Sequence, residues 1–211
     1  VLTVSGKFDP ETVLGWIKED FGAIPKPERV LPKEWTVEPV ADGEREFTIR
    51  RQGETQLVAV GYRIPAALHD DYEPTAMAAQ ILADAPTGRL YKELVETGLA
   101  TQVFGWPIAA EKPGFVMFGA LVKKGDDIEL VKTKLVDAIE NAFARTPATA
   151  EELGRQQADQ ATMFERTLSD PEQFAVGLSE YIALGDWRLF FADREMVRDV
   201  KPADVDRAAK T

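Results

Sequence analysis

The sequence predicts an α+β fold, a mostly antiparallel sheet covered by helices and followed by a helical C-terminal tail. Three observations carry that prediction. Runs of strand-type residues at Leu57–Ile64, Val103–Ala109 and Phe115–Val122 alternate with helical patterns. The turn Glu111-Lys112-Pro113-Gly114 joins two of those runs as a strand pair. From Thr149 onward only helical spacing and helix-start signals remain, so helices follow a mixed layer.

Taken in order, Val1–Ser5 alternates like the end of a strand, and Asp9-Pro10-Glu11 is a helix start. Asp9 can cap, Pro10 suits the first helical position, and Glu11 complements the positive end of the helix dipole. Val13, Leu14, Trp16, Ile17 and Phe21 follow at close to helical spacing, and Gly22 closes the helix. The prolines from Ile24-Pro25-Lys26-Pro27 to Pro39 cannot sit inside regular elements, so 25–42 reads as a Pro-rich linker. Residues 1–24 are expected to end a preceding αβ subdomain, and 43–211 to form a second one.

Within that second part, Phe47–Arg50 is expected to be a strand. Leu57–Ile64 is nearly continuous apolar, the pattern of a central strand covered on one or both faces. Tyr72–Leu82 and Thr87–Glu96 read as helices, the latter closed by Gly98. Asp126 and Asp127 open a long helix, Ile128–Phe143, with Ile128, Val131, Leu135, Ile139 and Phe143 on one face. Thr149-Ala150-Glu151-Glu152 resembles a capping box, Ser169-Asp170-Pro171-Glu172 starts the next helix, and Lys201-Pro202-Ala203-Asp204 opens the last.

Composition narrows the chemistry. The 211 residues carry 36 acids against 25 bases, a net charge of −11. Such a surface repels phosphate backbones, because duplex binding relies on Lys and Arg displacing counterions, so nucleic acid is not expected as a partner. No run of about 18 apolar residues occurs, so no membrane span is expected. Cysteine is absent and His69 is the single histidine. A catalytic zinc site wants about three protein ligands, usually rich in His. His69-Asp70-Asp71 before a helical stretch therefore favours a helix entry over a ligand, and no catalytic or metal residue is expected in this chain. The common acyl-transfer constellations lack either a base or a nucleophile here. Trp16, Trp35, Trp106, Trp187, Phe190 and Phe191 are expected to fill cores rather than form a peptide-binding box. A strand edge at Phe104–Trp106 or Phe115–Phe118 could accept an extended peptide.

The order of these parts resembles the M16 zinc metallopeptidases, the group of pitrilysin, insulinase and mitochondrial processing peptidase. The resemblance rests on Leu2–Glu11 followed by Phe21-Gly22-Ala23-Ile24-Pro25, and on Gly88-Arg89-Leu90-Tyr91-Lys92-Glu93-Leu94 with Gly98-Leu99-Ala100. The closing Val200-Lys201-Pro202-Ala203-Asp204-Val205 is similar to the family's last helices. It implies an α/β sandwich of the M16 type and a non-catalytic segment of a zinc metalloendopeptidase. Such a segment shapes the substrate chamber and packs one half against the other. The alternative it leaves is a structural or assembly module of the same fold without proteolytic activity; a third reading is an acidic protein-binding module.

The family's His-x-x-Glu-His motif and its downstream Glu do not occur here. The resemblance therefore implies zinc in upstream sequence of a parent protein, with no cofactor in this chain. The start at Val1, without Met, fits that expectation of a piece. The partners implied are a peptide or unfolded polypeptide and the other half of the same polypeptide or a second subunit. A periplasmic home is what the resemblance suggests for a long member. Active members use an Arg and a Tyr of the second-subdomain motif to contact substrate. Arg89 stands at the Arg position and Thr101 at the Tyr position. The departure at Thr101 implies that this segment is not the half supplying that pair and belongs with the zinc-bearing N-terminal half, so a structural ion pair is the favoured reading of Arg89, the one candidate substrate contact.

Overall fold

Short polar side chains set the helix starts in the computed structural model, which describes residues 1–30 and 42–210. Asp9 accepts from Thr12 N at 2.8 Å and opens helix α1, Pro10–Phe21. Asp127 does the same for α3, Ile128–Glu140, accepting from the amides of Glu129 and Leu130. Asp170 accepts from Glu172 and Gln173 at the head of α6, Pro171–Ala183. Each carboxylate satisfies amides that the helix itself leaves without acceptors. Most of the expected linker, with Trp35, lies outside the described residues.

The chain divides into two units. The smaller, Gly6–Gln52, holds α1, and no residue of that helix is buried although Leu14, Trp16 and Phe21 point an apolar stripe outward. The larger unit begins its regular structure with strand β1, Thr55–Ile64. Helix α2, Tyr72–Ala83, follows, then a π-helical turn at Tyr91–Val95 closed by Gly98 at φ +78°. Strands β2, Gln102–Ile108, and β3, Gly114–Lys123, come next. α3 gives way to a short α4, Ala142–Arg145. The tail is α5, Ala150–Ser169, then α6, α7, Leu189–Asp199, and α8, Pro202–Ala208.

The sheet is antiparallel throughout, in the order β1-β3-β2, with Val58 and Val103 both opposite Ala120. Alternation then decides which side chains meet the helices. Val116, Phe118, Ala120 and Val122 of β3 are buried with Val58 and Val103 in one core. Met77, Leu82, Leu94, Val131 and Leu135 join them there. Gly105 lies on this side too, where a Cβ would come within 2.7 Å of the Cβ of Ala83 on α2.

Five expectations are corrected. Val1–Ser5 and Phe47–Arg50 form no strand, because a strand exists only where a neighbour takes up its backbone groups and neither has one among the described residues. The central strand is β3, not the run at Leu57–Ile64; β1 is an edge, exposed at alternate residues. Phe115–Phe118 is consequently not an edge, whereas Phe104–Trp106 lies on the edge strand β2. The expected helix Ile128–Phe143 breaks at Asn141, whose side chain donates to Asp137 Oδ1 at 2.9 Å.

Candidate functional site

Arg89 starts the turn that carries Tyr91–Val95, and its guanidinium is turned into the protein with 13% of the side chain exposed. Nε donates to Glu152 Oε1 at 2.9 Å and Nη2 to Glu152 Oε2 at 2.8 Å, a two-pronged pairing. Nη1 donates to the carbonyls of Ala142 and Thr146, and Nη2 to that of Pro147. The plane also lies 4.6 Å from the Phe143 ring centre. A guanidinium has five N–H donors, and these contacts engage all five.

Glu152 completes the arrangement from α5. Its Oε2 accepts from Thr149 N and Oγ1, while Thr149 Oγ1 accepts from Glu152 N, the reciprocal pattern of a capping box. The Arg89 guanidinium, helped by the Thr149 bonds and against the opposing effect of burial, holds this carboxyl down at about 2. One carboxylate thus caps a tail helix and anchors the Gly88–Leu94 motif. The chemistry on offer is mechanical: the site ties the sheet layer to the tail.

A different surface lies on the far side of the sheet. Leu57, Phe104, Trp106, Ile108, Phe115, Met117 and Leu121 stand on the face opposite the buried residues. Phe104 and Trp106 stack with ring centres 5.0 Å apart. Phe104 lies across Gly119, where any Cβ would collide with its ring. Trp106 nevertheless keeps 44% of its surface exposed. The expectation that the aromatics fill cores therefore fails for Trp16, Trp106, Trp187 and Phe191, all exposed, and holds for Phe190. For Trp106 the reason is geometric, because its side of β2 is the face opposite the buried residues.

In the tail, Phe190 packs against Phe164, Phe174 and Tyr181. Beside this cluster α5, α6 and α7 leave an open cleft of about 830 Å³, lined by Met163, Val176 and Gly177 among others. Gln157 crosses its base, Nε2 donating to the carbonyls of Val197 and Val200.

His69 is a helix-entry residue here, its Nδ1 accepting from Asp71 N at 3.1 Å and its carbonyl from Tyr72 N. No group of three or more His, Cys, Asp or Glu among the described residues could hold a metal ion, so the donor set does not fit a zinc site. Among the described residues no helix is long and apolar enough to cross a membrane. Sequence reasoning missed two sets of residues. One is the outward face of β2 and β3, whose Phe104–Trp106 and Phe115–Phe118 the sequence suggests only as strand edges, since alternation shows two faces but not which is covered. The other is the buried Glu73, signalled only by a carboxylate in an otherwise apolar helix.

Comparison with known proteins places these features. Residues 1–159 match the family model described as the peptidase M16 inactive domain. The zinc protease PqqE of Helicobacter pylori is 23% identical over 212 residues, covering 99% of this chain and 48% of that protein. The chain thus spans about half the length of this curated relative. A crystal structure of an inactive peptidase domain from Bordetella parapertussis, ascribed to a zinc protease, is 45% identical. It superposes with a TM-score of 0.71 over 78% of this chain and 89% of that one. A Helicobacter pylori protease structure, 22% identical, shares the fold over 97% of this chain and 50% of its own, at a TM-score of 0.88.

Proposed function

Because the chain belongs to the peptidase M16 inactive-domain family, we propose that it serves as the non-catalytic half of a zinc metalloendopeptidase. In this reading it walls the substrate chamber with its bare sheet face and receives an extended, apolar polypeptide there. The observation that carries it is the aromatic and aliphatic face of β2 and β3. A face of this kind left open on a water-soluble surface marks a site of contact, and Trp and Phe contribute large contact areas at small entropic cost. Zinc, the general base and the metal-bound water belong on this view to the other half; that no group of three His, Cys, Asp or Glu gathers among the described residues supports the reading. A bound zinc would polarise the scissile carbonyl and lower the pKa of its water. This chain's own residues bind, orient and enclose.

Two further parts of the reading concern organisation. Residues 1–24 complete a preceding subdomain, a reading supported by the apolar stripe of α1, of which no residue is buried among the described residues. Arg89 acts as a brace rather than a substrate contact, because its donors are spent on Glu152 and three carbonyls.

The experiment uses the parent protein with both halves present. Trp106→Glu is expected to raise KM for peptides with apolar residues by about tenfold, the worth of one buried aromatic contact, with kcat little changed. Zinc content stays the same. Unchanged KM in Trp106→Glu and in a second variant, Phe115→Glu, would remove the sheet face from the substrate path. A parent that neither holds zinc nor cleaves peptides would leave the chain as an assembly module.

A further inference from the structure

Asp170 alone separates α5 from α6, and the two helices pack against each other and against α7. Their facing sides do not close, and the open cleft of about 830 Å³ lies between them. That volume falls among those of specific binding sites. Gln160, Phe164 and Thr167 line it from α5, and Gln173, Gly177 and Tyr181 from α6, in steps of three or four residues. Rows at this spacing are ridges, and a further helix seats its own ridges between them. Gly177 keeps the floor low, since a Cβ there would meet the Phe190 ring at 3.1 Å. Met163 and Val176 also line the cleft, yet they stay 66% and 54% exposed. Apolar side chains gathered along an open groove mark a place of contact.

The charges along the groove do not balance. Arg194 reaches Glu165 and lies over Phe164, and Arg198 pairs with Asp199. Asp170 is spent on the amides of Glu172 and Gln173. The carboxylates of Glu172 and Glu180, both lining residues, have no ion pair or hydrogen bond among the described residues. They stand two turns apart on α6, about 12 Å along the axis, with Val176 midway. Free carboxylates attract a cationic partner and repel a phosphate or an anionic lipid headgroup.

We propose that the cleft is a docking groove for a basic amphipathic helix of a partner protein. The apolar stripe of that helix lies between α5 and α6 over Met163, Val176 and the Phe164 ring. Lys or Arg residues about seven or eight positions apart on its flank pair with Glu172 and Glu180. Exposed ion pairs contribute little each, so the stripe carries the affinity and the carboxylates select charge and register. The groove shares no residue with the sheet face of β2 and β3.

Fluorescence anisotropy of a labelled peptide with the 211-residue chain tests this. The probe is a Leu/Lys peptide of about 18 residues, long enough to be helical. Its leucines form one stripe, flanked by lysines about seven positions apart. At about 0.1 M salt it should bind, and a counterpart with Glu at every Lys should bind about tenfold more weakly. A scrambled peptide of the same composition, lacking the stripe, should also be about tenfold weaker. Met163→Gln combined with Val176→Gln, both at exposed positions, should weaken the Lys helix by about tenfold. Glu172→Gln combined with Glu180→Gln should weaken it by about threefold to tenfold. Trp106→Gln on the sheet face should leave it unchanged.

No binding of the Lys helix would overturn the proposal. Equal binding of striped and scrambled peptides would do so too, by assigning the attraction to the net charge of −11 alone. Binding lost in Trp106→Gln and kept in the Met163 and Val176 pair would move the site to the sheet face. A chain that self-associates, and becomes monomeric in that same pair, would make a second copy the occupant in place of the basic helix.

Discussion

The sheet layer and the helical tail of this protein are held by different physics. In the layer, α2 buries nine residues and all but Glu73 are Pro, Ala, Ile, Leu or Met. Burial of that kind is non-directional and grows with apolar area. In the tail, α6 buries no residue at all, α5 buries only Leu153 and Gln156, and α7 and α8 add Phe190, Val197, Val205 and Ala208. Beside those few buried side chains the fastenings are point contacts: Arg89 on Glu152, Gln157 on a row of carbonyls, and Asp206 accepting from Ala148 N at 2.8 Å. Apolar area tolerates small shifts, whereas point contacts fail singly and respond to pH. The layer should therefore behave as one cooperative block and the tail as a set of latches.

The strongest break in that contrast is expected at Arg89. Arg89→Ala leaves the Glu152 carboxylate and three carbonyls without their donor, and the loss of one member of a buried pair costs about 3–5 kcal/mol. Urea denaturation measures it. Because the Glu152 carboxyl is held below its ordinary value, its contribution is present above about 4.5 and is lost as pH falls toward about 2. Arg89→Ala should erase that acid limb; an unchanged limb would mean the pair does not stabilise the fold.

A smaller effect sharpens the other side. Met77→Ala, fully buried in the layer, should cost about 2–5 kcal/mol. Val176→Ala on exposed α6 should stay within about 0.5 kcal/mol. Similar losses at both positions would show that the tail is packed as the layer is. Below Met77→Ala, Gln157→Ala should cost about 1–3 kcal/mol through the carbonyls it leaves unmet. Its signature is faster amide exchange at the α7–α8 junction with little change in β1–β3.

Helix starts were legible because capping is local: Asp9, Asp127, Thr149 with Glu152, and Asp170 each act within three or four residues of themselves. The strand runs were legible for a similar reason, since alternation is written along a single segment. Sheet order was not, for the choice of β3 as the centre depends on which strands have neighbours on both sides. The fate of Trp106 depends likewise on whether a second layer covers it. Arg89 and Glu152 stand 63 residues apart. The resemblance to M16 peptidases marked Arg89 as a position of interest, and only the fold shows what surrounds it.

The bare sheet face also has a colloidal consequence. A molecule that keeps Trp106, Phe115 and Leu57 in water, with β1 and β2 as open strand edges among the described residues, presents its neighbours with an adhesive side. The surplus of acids, −11 at neutral pH, supplies the mutual repulsion that keeps such molecules dispersed. Near the isoelectric point of 4.7 that repulsion vanishes. Turbidity there would then report sticking of folded molecules, not unfolding.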